Sequence, residues 1–165
     1  MADMLVKLFT LDPLQPEIDK MAAMGITIRR PIGPENYAVI EWIKKYFPNS
    51  LWAAEAENAF FNNPKTIYIA LREGENGSEM LGFACWDATV NNFFGPTGVK
   101  ECERGKGIGR ALLLACLHGM REAGYAYGII GSPGPIEFYR KNCGGEMIEG
   151  SGESVYKGMF DGKIL

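Results

Sequence analysis

The 165-residue chain, 47% apolar and 22% charged, has the size and composition of one soluble domain. Its formal net charge of −3, from 17 basic and 20 acidic residues, gives no bulk attraction to nucleic acid or anionic lipid. The longest glycine-free apolar run, Ala111 to Leu117, has seven residues, whereas a bilayer span takes about twenty. The opening Met-Ala-Asp-Met carries no secretory signal pattern, so the reading is of a cytoplasmic protein with no membrane partner. Cys85, Cys102, Cys116 and Cys143 form no C-x-x-C pair and the chain has one histidine, a pattern that points to reduced thiols and no metal site.

In chain order, Met4 to Thr10 reads as a short strand and Pro16 to Met24 as a short helix ended by Gly25. Ile26 to Pro31 alternates as a strand. Pro34 and Glu35 suit a helix start; Val39, Ile40, Ile43, Tyr46 and Phe47 form its apolar face, and Pro48 ends it. Ser50 can cap a second helix through Phe61. Thr66 to Arg72 and Met80 to Thr89 read as antiparallel strands around the polar turn Glu73 to Gly77. A broken strand, Phe93 to Lys100, has Gly95-Pro96 at its kink. The strongest helical pattern is Arg110 to Ala123, apolar nearly all round and stopped by Gly124. Tyr125 to Ile130 follows as a buried strand, Pro135 to Lys141 as a short helix, and Glu146 to Glu149 with Val155 to Met159 as the last strands. The fold class is α/β, an α+β sandwich around a strand–loop–helix–strand unit.

The loop from Val99 to Arg110 carries the chemistry. Gly105, Gly107 and Gly109 clear side chains from a strand-to-helix turn, so backbone N–H groups can converge on an anion. The following helix adds unpaired N–H groups and a partial positive charge. Lys100, Arg104, Lys106 and Arg110 outnumber Glu101 and Glu103 in this segment, four basic residues against two acidic. These features describe a phosphate or pyrophosphate cradle; a plain tight connection is the alternative. A P-loop is excluded because no Gly-Lys-Ser/Thr ends the run, and a dinucleotide fingerprint because Arg110 stands where its third glycine belongs.

Arg104-Gly105-Lys106-Gly107-Ile108-Gly109 resembles the Arg/Gln-x-x-Gly-x-Gly/Ala signature of the GNAT superfamily of acyl-CoA-dependent N-acetyltransferases, with Val99 in the place of the valine five residues before it. Phe138-Tyr139-Arg140-Lys141 is similar to the family's Phe-Tyr-x-Lys motif. The resemblance covers residues from about Gly25 to the end, leaving residues 1–24 as an N-terminal strand and helix extension before a domain of residues 25–165. It departs from the family at Ser132, which replaces a frequent asparagine, and at Gly144-Gly145, which replaces Gly-Phe.

The resemblance implies a mixed, mostly antiparallel central sheet flanked by helices. It implies acetyl-CoA or coenzyme A as cosubstrate, held at Val99, Lys100, Arg104, Gly105, Lys106, Gly107, Ile108, Gly109, Arg110 and Ser132. The splayed strand near Val99 would offer free N–H and C=O groups to pantetheine, one N–H polarising the thioester carbonyl. Tyr139 would protonate the departing thiolate. The acceptor would be a primary amine on a small molecule or peptide, attacking directly; a homodimer is compatible with the family. The amine, with a pKa of about 10.4, must lose a proton at a cost of roughly 4–5 kcal/mol at neutral pH. Glu101, Glu103, Asp87 and a water chain are the candidates to take it. His118 reads as a surface residue. Cys102 and Cys143 flank the motifs without a histidine to activate them, and Trp42, Phe47, Trp52, Phe60 and Phe61 fit either an acceptor pocket or the core. An acyl-CoA sensor without turnover and a phosphate-binding interaction module are the rival readings.

Overall fold

Successive residues of a strand face opposite sides of a sheet, and the central strands use this to build two cores. On β3 (Ile67–Gly74), Ile67, Ile69 and Leu71 enter one core while Tyr68 and Ala70 face the other. On β4 (Gly77–Trp86), Phe83 and Cys85 join the first group, Ala84 and Trp86 the second. Helices α2 (Asn36–Tyr46) and α3 (Trp52–Phe61) cover one face through Val39, Ile40, Ile43, Ala56 and Phe60. The opposite face is covered by α4 (Ile108–Glu122), whose Leu112, Leu113 and Leu117 are fully buried. Each such side chain stabilises the fold by about 1.5–3 kcal/mol. Helix α1 (Gln15–Ala23) lies beside α4 and contributes Met21 to the same core.

The computed structural model describes residues 2–160. With β1 (Met4–Lys7), β2 (Ile26–Arg29), β5 (Phe93–Val99), β6 (Tyr127–Ile130) and β7 (Glu146–Met147), the sheet has seven strands in the order β2-β3-β4-β5-β6-β1-β7. The β5–β6 pair is parallel and all others are antiparallel. Helix α5 (Ile136–Cys143) connects β6 to β7 and packs Phe138 and Tyr139 against the α4 core. This is the mixed, mostly antiparallel sheet flanked by helices that the family resemblance implies.

One expectation changes. Val155 to Met159 is not a strand: Ser154–Tyr156 form a 3-10 turn, Ser154 and Gly158 have φ of 45° and 75°, and Val155 and Met159 stay exposed. Between β6 and β7 lies the N-terminal strand. Met4 pairs with Ile130 on one side and Met147 on the other, so β1 is an interior strand. Its pattern is that of a strand: Met4, Val6 and Leu8 are fully buried while Leu5 and Lys7 face partly outward, an alternation that the Val155 segment lacks.

An interior β1 makes Met4 a core residue. Met4→Ala should lower the free energy of unfolding by about 2–5 kcal/mol. A loosely attached tail would show a change within about 0.5 kcal/mol. Urea unfolding of the two proteins measures the difference.

Candidate active site

Strands β5 and β6 pair at only two positions, Phe93 with Ile129 and Phe94 with Ile130. Beyond them β6 ends while β5 continues to Val99, so the two strands part and leave one side of β5 without a neighbour. In an antiparallel ladder, backbone groups of alternate residues point toward the partner strand. The Lys100 N–H donates to the Leu81 carbonyl at 2.8 Å, and Gly98 stands opposite Phe83. The backbone groups of Thr97 and Val99 therefore turn away from β4 into the opening. Consistent with this, the Val99 carbonyl accepts from Arg104 Nε at 3.2 Å.

Directly across this stretch lies an aromatic group from the α2–α3 face. A Cβ on Gly98 would collide with the Phe47 ring, so only glycine lets that ring lie against β5. Phe47 packs on Trp52 at 4.9 Å and on Trp42 and Phe83 at 6.0 Å between ring centroids. Of the aromatics weighed from sequence, Trp42, Phe47 and Trp52 form this cluster and Phe60 is core, whereas Phe61 is exposed.

The loop from β5 to α4 is shaped by its glycines. Gly105 and Gly107 have φ of 78° and 87°, a conformation that costs other residues roughly 1–2 kcal/mol. Gly107 is the N-cap of α4, and the first intrahelical bond runs from the Ala111 N–H to its carbonyl at 3.0 Å. The N–H groups that precede Ala111 therefore have no helical acceptor. Ile108 is buried and pins the helix start to the core, and Val99 packs against the same core. Open space surrounds Gly105, so the loop can admit an anion at the helix terminus. The residues present fit a pyrophosphate.

The basic residues of this loop are mostly committed to partners that sequence reading missed. Glu103, nearly buried, accepts from Arg72 at 3.0 and 2.7 Å and from Lys106 at 2.9 Å. The Arg72 guanidinium, with Lys106 beside it, holds the Glu103 carboxyl down to about 2. Lys100 bonds to Glu79 at 2.7 Å and sits over the Tyr46 ring. Arg110 reaches Asp12 at 2.7 Å and Glu17 at 3.2 Å, both on the N-terminal segment, and also bonds to Asn142. Arg104 alone among the four has no carboxylate partner among the described residues, and it is exposed. Long-range pairs of this kind have no local signature in sequence.

Tyr139 lies where the strands part. Its ring meets Phe94, the last β5 residue paired to β6, edge-on at 6.2 Å, and Phe138 at 5.1 Å. It is 6% exposed, and burial pushes its phenol up to about 12. Its hydroxyl makes no hydrogen bond to protein among the described residues. Ser132, with φ 45°, follows β6; its N–H donates to the buried Asp3 carboxylate at 3.0 Å and its side chain is exposed.

The carboxylates considered as bases are placed differently. Asp87 accepts from the Asn92 N–H at 2.6 Å and the Tyr125 hydroxyl at 3.0 Å, closing the loop after β4. Glu103 is bound as described, and Glu101 is exposed. Burial raises the Cys143 thiol to about 11, away from the reactive thiolate, and Cys102 is exposed. His118 contacts the Asp12 carbonyl at 2.8 Å from a half-buried position.

Because the folded-state pKa of Glu103 is depressed, its contribution to stability is complete above the ordinary carboxyl value of 4.5 and is lost as pH falls toward about 2. Glu103→Gln should therefore lower the melting temperature at neutral pH, and the gap to the unmodified protein should close between those two values. Thermal melts across that window check it; a constant gap would mean that the carboxylate charge is not what holds the loop.

The sequence matches the model of the acetyltransferase (GNAT) family over residues 36–144. No curated protein matches it. Among solved structures, it superposes on the glucosamine N-acetyltransferase region of a fungal multi-domain GH3 β-N-acetylglucosaminidase with a TM-score of 0.70, 14% identity, and coverage of 89% of this chain and 19% of that one. The GCN5-related N-acetyltransferase of Sphaerobacter thermophilus gives a TM-score of 0.63, 20% identity, and coverage of 89% and 48%. A Brucella melitensis GNAT family acetyltransferase in complex with acetyl-CoA gives 0.53, 19% identity, and coverage of 70% and 80%. The chain thus spans about a fifth of the first of these proteins and about half of the second. With the family matched over most of its length, and the parted strands and glycine loop in place, the chain belongs to the acetyltransferase (GNAT) family.

Proposed function

We propose that this protein is an acetyl-CoA-dependent N-acetyltransferase that acetylates a primary amine on a small molecule or peptide by direct attack. The observation that carries the reading is the parting of β5 and β6, with the glycine loop beyond its open side and Tyr139 at its closed end. Four free thiols among the described residues fit a reducing cytoplasm.

Acetyl-CoA, when bound, would supply the activated acyl group and a thiol leaving group. The N–H groups at the start of α4 and the Arg104 guanidinium would hold its pyrophosphate, and the backbone of Thr97 and the Val99 N–H its pantetheine arm, the Val99 carbonyl being taken by Arg104. A β5 N–H at the opening would polarise the thioester carbonyl. With a phenol at about 12 against a thiol at about 8.5, full proton transfer from Tyr139 to sulfur is uphill, so its hydroxyl acts as a hydrogen-bond donor to the developing thiolate. Since Glu103 and Asp87 are already bound, the amine's proton leaves through water or the exposed Glu101. The same commitment of carboxylates is what favours the second reading, an acyl-CoA sensor without turnover. Thiol release from acetyl-CoA over a panel of amines separates the two: release with an amine and none without one supports the enzyme, whereas tight binding with no release from any amine supports the sensor.

Tyr139→Phe keeps the ring contacts and removes a hydroxyl that has no hydrogen-bond partner among the described residues. Stability and acetyl-CoA affinity should stay unchanged, while the single-turnover rate should fall by roughly 10–10³-fold. The loss should hold constant from about pH 6.5 to about pH 9.5, since the phenol keeps its proton throughout. A variant turning over at the original rate would remove Tyr139 from the chemistry.

A further inference from the structure

On the α2–α3 side of the sheet, one half-buried carboxylate has no cation. Glu55 lies on α3 three residues after Trp52, so the two share a helix face. One of its oxygens accepts from the Thr89 hydroxyl in the loop after β4. The other has no hydrogen-bond or ion-pair partner among the described residues, and solvent reaches it. Glu103, by contrast, is closed off by Arg72 and Lys106.

The neighbours of Glu55 fix where it stands. Cys85, fully buried on β4, faces the α2–α3 core; burial pushes its thiol well up, and the Cys116 thiol and then the Glu55 carboxylate add to this. Burial also raises the phenol of Tyr156, on the 3-10 turn Ser154–Tyr156. The Glu55 carboxylate adds to that effect, while a side-chain hydrogen bond with Thr89 opposes it. Tyr156 in turn touches the end of β6: a Cβ on Gly131 would fall 3.2 Å from its hydroxyl and 2.9 Å from the Phe93 ring.

Glu55 thus lies between Cys85 of β4 and the residue that follows β6, and β5 is the strand between them. Helix α3 crosses both β4 and β5. The part of β5 opposite Cys85 is Gly95-Pro96, where pairing with β4 is interrupted and pairing with β6 has just ended at Phe94. Tyr139 reaches the same place from the α4 face, through its contact with Phe94. The titratable groups that face Glu55 are Cys85 from β4 and Tyr156 from the C-terminal turn, with Asp3 beyond Tyr156. Cys85 and Tyr156, both raised, are neutral at about pH 7. A half-buried carboxylate among neutral groups is stabilised by a cation, and an ammonium supplies one.

We propose that Glu55 receives the ammonium of the acceptor where β5 and β6 part and takes its proton, as a catalytic residue of the reaction. The role rests on the reading of the protein as an acetyltransferase, and it puts Glu55 ahead of water and Glu101 in the path of the proton. The ammonium gives one proton to the Glu55 carboxylate, which passes it to water. The freed amine forms the C–N bond, the C–S bond breaks, and the second N–H proton leaves on coenzyme A as its thiol. An ammonium drawn out of water is a stronger acid, which favours the first step.

The test measures thiol release from acetyl-CoA by the full chain and by Glu55→Gln, with butylamine, phenethylamine and a lysine tripeptide as acceptors. Glutamine keeps an oxygen for Thr89 and removes the charge. Affinity for acetyl-CoA, read by calorimetry, should not change. At about pH 7, kcat/KM for the amine should fall by roughly 10²–10⁴-fold. In the unmodified protein it should be level from about pH 7 to about pH 9. In the variant it should rise about tenfold per pH unit as free amine accumulates, closing the gap toward the amine's pKa of about 10.4. Glu55→Asp, with the charge on a shorter arm, should restore the level profile at a lower rate. A loss that stays constant with pH would mean that Glu55 only anchors Thr89, and undiminished turnover that it takes no part; either overturns this role alone. No thiol release by the unmodified protein with any of the amines would overturn acetyl transfer itself, and this role with it.

Discussion

An opening between two strands of one sheet is stable only if both strands are held from their other sides. Strand β5 has β4 along its length, but β6 gives up all but two of its pairings with β5. What fixes β6 is β1, which pairs with it at four consecutive positions from Met4–Ile130 to Lys7–Tyr127. Without β1, β6 could close on β5 or leave the sheet, and the backbone of Thr97 and Val99 would lose its clear approach. The segment that precedes the GNAT-matched residues is therefore part of what keeps the cleft open.

The same segment reaches the glycine loop by a second route. Asp12 and Glu17 hold Arg110 one turn into α4, and a Cβ on Gly107 would meet Met21 of α1 at 3.4 Å. On the other side, Arg72 of β3 and Lys106 close on Glu103. The loop is thus braced between the N-terminal helix and the central strands, with its glycines free to present N–H groups rather than to supply rigidity. Exposed ion pairs contribute little individually, about 0–1 kcal/mol. The near-buried Glu103 cluster and the half-buried Arg110 are placed to matter more for geometry than for total stability.

The helices and most strands were legible because their patterns are local. Helix α4 could be read from its apolar sequence and Gly124, and the broken strand from Gly95-Pro96. The glycine loop and Tyr139 were legible as motifs, and the structure brings them to the two ends of one opening. The last strand was misread because Val155 to Met159 is apolar enough to pair, but positive φ at Ser154 and Gly158 turns the chain there, and sequence alone does not say which residues will lie beside Ile130. The local positive charge of the loop was misread for a related reason. Glu79, Asp12 and Glu17 are 21 or more positions away from the basic residues they neutralise or sit on the far side of another element, in the case of Asp12 98 residues distant. Charge counted along a segment is not charge in space.

The place of β1 also sets an order of events. Its partner residues Met4 and Ile130 are separated by 126 positions. On a ribosome adding about 5–20 residues per second, β1 would wait roughly 6–25 s before β6 emerges. During that interval an apolar strand, Met4 to Leu8, has no ladder to join. Contacts of such long range slow the search for the native state. Completing this sheet therefore depends on a pairing across 126 positions, between strands that no short loop brings together.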